Sequence, residues 1–171
     1  MKKISILFVI VLLFSLALAC GGSAPAPADQ TGGSSVSEAD AVYLENMVSA
    51  IKDTKEKQDA FQAIVKSGAD AGIGDQDFQA QAAPAMDEWA NAAANLESVC
   101  SADVPEKYTA LPELCSQLNT QVQEIGQGIQ DAFTEANNGN IDAANAIWQE
   151  LGGRVGQSQD TFIQINAEIA K

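Results

Sequence analysis

Four runs of apolar residues, spaced alternately by four and three positions, constrain this chain most. The clearest is Phe78, Ala82, Ala85, Trp89, Ala92, Leu96 and Val99. A helix turns once in about 3.6 residues, so this spacing draws one apolar stripe along one face. A later run repeats it through Leu111, Cys115, Leu118, Val122, Ile125, Ile129, Ala132 and Ala136. The last carries Ile141, Ala144, Trp148, Leu151, Val155, Ser158, Phe162, Ile165 and Ile169, and the first Leu44, Met47, Ile51, Phe61 and Val65. No stretch alternates at every second residue as a half-buried strand would. Breaks separate the runs. Residues 68–74 hold three glycines, Asn138-Gly139-Asn140 is a turn, and Asp103-Val104-Pro105 leads into a new helix that Pro112 interrupts. A short turn is therefore expected before the third main run. The spacing predicts helices over residues 38–67, 75–100, 111–137 and 141–169. Steps of four and three are the seam of helices packed at shallow angles, and short connections favour antiparallel neighbours. The predicted fold of residues 38–171 is all-α, an antiparallel up-down-up-down four-helix bundle.

The first run lapses in its middle. Lys52-Asp53-Thr54-Lys55-Glu56-Lys57-Gln58-Asp59 places Thr54 and Gln58 inward, where a packed core favours leucine. Reflected through the antiparallel turns, this height meets residues 85–89, then 126–130, then 148–152. Both tryptophans gather there with Gly126, Gly128, Gly152 and Gly153, while Pro84 and Arg154 lie close by. Glycine inside a helix costs about 1 kcal/mol relative to alanine, and proline about 3. Two readings explain the convergence. In a packed core the glycines make room for the indoles, Thr54 and Gln58 bond the indole N–H groups, and Arg154 pairs with Asp87 or Asp53. Alternatively Thr54, Gln58, Trp89, Gly126, Trp148 and Gly152 line a pocket between helices for a small apolar or aromatic molecule.

Ahead of the helices stand Met1-Lys2-Lys3, an apolar core over residues 4–19, and the run Leu16-Ala17-Leu18-Ala19-Cys20. Basic start, apolar middle, small residues and then cysteine: this resembles a bacterial lipoprotein signal peptide. Leucine is usual three places before the cysteine; here Ala17 holds that position and Leu16 lies one further back. The resemblance implies removal of residues 1–19, lipid on Cys20, and anchorage on the extracytoplasmic side of a membrane. Gly21 rather than aspartate follows Cys20, which implies the outer membrane in a cell that has two. Ala17-Leu18-Ala19 also reads as an ordinary secretory cleavage site, which would release a soluble protein, and a retained membrane helix is the third reading. Residues 21–37 are mostly glycine, serine, alanine and proline. With Cys20 they form a tether over residues 20–37 that spans roughly 20 to 25 Å as a random coil. The helical part resembles the small four-helix bundles of extracytoplasmic lipoproteins in architecture alone, and no functional residue is transferred from them.

The chain has three cysteines. With lipid on Cys20, Cys100 and Cys115 remain as a pair, and in an oxidising compartment such a pair forms a disulfide. They flank the second connection at similar distances from its middle, so an antiparallel hairpin brings them level. The spacing is far wider than the C-x-x-C of redox enzymes, which favours a structural staple.

Removing residues 1–19 leaves 152 of 171 residues and takes Lys2 and Lys3 but no acid, so the net charge moves from −14 to −16. Such a chain lacks the basic patches that displace phosphate counterions, which argues against nucleic acid as a partner. Histidine is absent. That removes the usual general base, the usual haem ligand and the histidines of di-iron bundles. Asp87 and Glu88 are adjacent and diverge on a helix. Asp70, Asp75 and Asp77 lie near one turn but lack a calcium loop's spacing, and Asp75 reads more simply as a helix cap. The sequence therefore predicts a non-enzyme without metal or cofactor. The expected role is a lipid-anchored interaction or assembly module of the cell envelope. Its expected partners are the membrane, through lipid on Cys20, and an envelope protein. The alternative is a binding module for a small molecule at mid-bundle height.

Overall fold

The computed structural model describes residues 37–68 and 71–171. Residues 1–36, on which the expected signal peptide, Cys20 and most of the expected tether fall, lie outside the described residues, as does Asp70. Four helices account for most of the remainder: α1 (Glu38–Ser67), α2 (Gln76–Ser101), α3 (Leu111–Asn137) and α4 (Ile141–Ile169). A 3-10 turn at Glu106–Tyr108 precedes α3, as the two prolines require. Pro112 sits in the first turn of α3, where a missing N–H leaves no ladder bond unmade. Asp75 is the cap of α2: its carboxylate accepts the N–H of Phe78 at 2.8 Å. Gly139 ends α3 with φ +84°, the left-handed conformation that glycine takes without strain. Among the described residues no helix is long and apolar enough to cross a membrane.

Pairings between helices run in opposite directions, so neighbours are antiparallel. From α1 to α2, the Tyr43 hydroxyl donates to the Cys100 carbonyl, Thr54 to that of Ala92, and Lys57 to the Glu88 carboxylate. From α2 to α3, Glu97 accepts from Asn119 and Gln79 from Asn137. From α3 to α4, Glu124 pairs with Arg154, and Phe133 stacks on Trp148 with ring centroids 6.2 Å apart. The result is the up-down-up-down four-helix bundle that the stripes predicted.

Burial corrects two of those stripes by a rotation. On α1 the fully buried line is Tyr43, Met47, Ala50, Thr54, Gln58 and Phe61; Leu44, Ile51 and Val65 are only half-buried. On α4 the buried line is Ala144, Leu151, Ser158, Thr161 and Ile165. Trp148, Val155, Phe162 and Ile169 are half-buried, and Ile141 is exposed. These half-buried residues have a common placement. On α1, Lys57 reaches α2 from one flank of the buried line, and Leu44 and Ile51 lie on the other flank. On α4, Arg154 reaches α3 from one flank, and Val155 and Phe162 lie on the other. The free flanks of α1 and α4 therefore face each other. Each carries a row with a spacing of seven: 44, 51, 58, 65 on α1 and 148, 155, 162, 169 on α4. Gln58 is the single polar member of either row.

Candidate functional site

The residues predicted to gather at mid-height divide between two surroundings. Trp89 is 1% exposed and stacks on Phe61, centroids 5.8 Å apart. Trp148 is half-buried and belongs to a separate cluster, edge-on to Phe78 and stacked on Phe133. Phe78 opens α2, so this cluster lies toward the end that carries the first and third connections. The two indoles do not share one chamber. The register itself is the reflected one, since Arg154 reaches Glu124 and Leu151 meets Gly128; the Trp148 side chain points back along α4 toward its N-terminus and so reaches Phe133 and Phe78. Phe78 was read as core, but nothing in the helical spacing marks Phe133 as Trp148's partner.

Beside the glycines the space is filled. A Cβ on Gly126 would meet Met86 at 3.7 Å, an ordinary contact. One on Gly128 would come within 2.6 Å of a Leu151 methyl, so that glycine lets α4 approach closely. Gly152 is half-buried on α4. A Cβ on Gly153 or Gly156 would meet nothing within 4 Å.

Thr54 and Gln58 do point inward, at 1% and 4% exposure. The Thr54 hydroxyl lies 2.8 Å from the carbonyl of Ala50 and 3.2 Å from that of Ala92, so its proton is directed to carbonyls and not held for an indole. Arg154 pairs with Glu124 at 3.5 Å, not with Asp87 or Asp53; α3 is its neighbour across that flank, and both expected acids lie on α1 and α2. Two further inward polar groups, Ser158 and Thr161 on α4, donate to carbonyls of their own helix, at Val155 and Gln157. Among the described residues, one buried side-chain acceptor has no hydrogen-bond partner, Gln121 Oε1. Gln121 is seven residues before Gly128, so it shares the α3 row that faces α4.

Cys100 and Cys115, both fully buried, are joined by a disulfide with Cα atoms 6.4 Å apart. At the same end Tyr43 stacks on Tyr108, centroids 6.0 Å apart. Burial, and secondarily the charge of a neighbouring Tyr108 phenolate, raises the Tyr43 phenol above its usual 10.0. Of the three acids weighed for calcium, Asp75 is committed to its cap. No group of three or more histidine, cysteine or acid side chains among the described residues could hold a metal ion. Comparison with protein-family models, curated proteins and solved structures gives no match.

Proposed function

We propose that this protein is a lipid-anchored, extracytoplasmic helical bundle that acts as an interaction or assembly module of the cell envelope. The observation that carries the reading is the run from Lys2 to Cys20, with its charged start, apolar core and small residues before cysteine. Cysteine parity supports it. The disulfide between Cys100 and Cys115 leaves Cys20 as the odd thiol, and disulfides persist in compartments outside the cytoplasm. An acidic, net-negative surface suits a soluble domain held near a membrane without lying on its anionic lipids.

Two measurements test the reading in its two parts. Mass spectrometry of the protein from its own membrane is expected to give an N-terminal Cys20 carrying acyl chains, with Cys20→Ser releasing the protein from the membrane fraction. An N-terminus that retains residues 1–19, or an unmodified Cys20, defeats the anchoring. Cross-linking in the intact envelope is expected to join the domain to a recurring protein partner. Repeated recovery of the uncross-linked chain defeats the interaction role.

A further inference from the structure

The four helices are not held together equally. Consecutive helices approach closely along their lengths, whereas α1 and α4 have no comparable run of Cα pairs within 8 Å. The disulfide ties α2 to α3. Of the four buried polar residues among those described, Gln58 stands in the α1 row that borders the seam between α1 and α4, whereas Thr54 bonds to α2, and Ser158 and Thr161, each seven residues after Leu151 and Arg154, lie on the side of α4 that faces α3. The hydroxyls of Thr54, Ser158 and Thr161 bond to their own helices and, for Thr54, to α2. The middle of α4 is weakened further. It holds Gly152, Gly153 and Gly156 within five residues, with open space at the last two. Glycine disfavours the helix, and the buried Gln58 carboxamide regains water when the seam parts.

We propose that the α1–α4 seam is the edge at which the bundle opens, with residues 152–161 of α4 as the part that yields. The opened state presents Gln58 between the apolar rows that border the seam, Leu44 and Ile51 on α1 and Val155 and Phe162 on α4. This inference stands on packing and does not depend on the lipid anchor or on a partner.

Amide hydrogen exchange on the intact protein tests it, because exchange reports local opening segment by segment. Amides of residues 152–161 are expected to exchange at least about tenfold faster than those of residues 118–129 in α3. Rates within about threefold of each other overturn the proposal. The pair Gly153→Ala and Gly156→Ala supplies a second arm, since both positions have room for a methyl group. Each is expected to slow exchange in α4 about fivefold, the equivalent of one glycine-to-alanine step in a helix. Exchange over residues 54–58 of α1 is expected to slow with it. Slowing confined to α4 means that the helix frays alone, and it overturns the seam.

Discussion

Tyr43 shows how one side chain couples packing to pH. Its hydroxyl donates to the Cys100 carbonyl at 3.1 Å, and its ring is buried against Tyr108. The fold raises its pKa, so the folded chain holds the phenolic proton more tightly than the unfolded chain does. That stabilisation is fully present below the ordinary value of 10.0 and is lost as pH rises through the raised folded value. Tyr43→Phe is expected to cost about 0.5–1.5 kcal/mol near neutral pH through the lost hydrogen bond. Above pH about 10 the variant should lose less stability than the parent. Urea midpoints on both sides of that pH check both statements; equal alkaline losses would show that Tyr43 does not titrate with unfolding. The glycines make an opposed pair at the same scale. Gly126→Ala gains up to about 1 kcal/mol of helix propensity against an ordinary contact with Met86. Gly128→Ala forces the buried Leu151 to move and is expected to cost about 1–3 kcal/mol. Denaturation of the two variants should therefore shift in opposite directions.

At the scale of elements, the helices were legible because their punctuation is chemical. Asp75, Pro105, Pro112 and Gly139 each have a backbone reason to stand where they do, and α2 and α3 follow their stripes closely. The face of α1 was not legible. Tyr43, Ala50 and Thr54 displace Leu44 and Ile51 from the buried line because the hydroxyl bonds of Tyr43 to Cys100 and of Thr54 to Ala92 are set by the neighbouring helix. The candidate site was read only in part for the same reason. Inward Thr54 and Gln58 follow from helical phase, but the separation of Trp89 from Trp148 depends on the direction in which the Trp148 side chain leaves its helix. The cysteine pair was legible from parity, with Cys20 set aside for lipid, and from its spacing about the second connection. Replacing both with alanine removes a loop closed over a separation of 15 residues and is expected to cost about 3 kcal/mol. Because both sulfurs are fully buried, a mild reductant should leave the native protein oxidised and act only once denaturant opens the α2–α3 end. Mass spectrometry after alkylation separates the two conditions.

For the whole molecule, charge and not burial sets the response to solvent. Acids exceed bases by fourteen in the chain, and α2 and α3 carry no lysine or arginine at all. Five of the cations are paired: Lys52 with Glu56, Lys55 with Asp59, Lys57 with Glu88, Arg154 with Glu124 and Lys171 with Glu168. The first four pairs are solvent-exposed on both sides, and an exposed pair contributes only about 0.2–1 kcal/mol. Repulsion among the remaining acids acts over the whole surface and favours the expanded chain. Salt screens both effects, with a Debye length near 10 Å at 0.1 M. The many unpaired acids outnumber the few pairs, so added sodium chloride is expected to stabilise the fold. The urea midpoint should rise between low salt and about 0.5 M, where screening reaches well inside the molecular surface. Sodium sulfate is unsuitable for this test, because its exclusion from the protein surface strengthens apolar burial in any protein. A midpoint that falls with chloride would mean that the ion pairs outweigh the net repulsion, and that the acids are better compensated than their number implies.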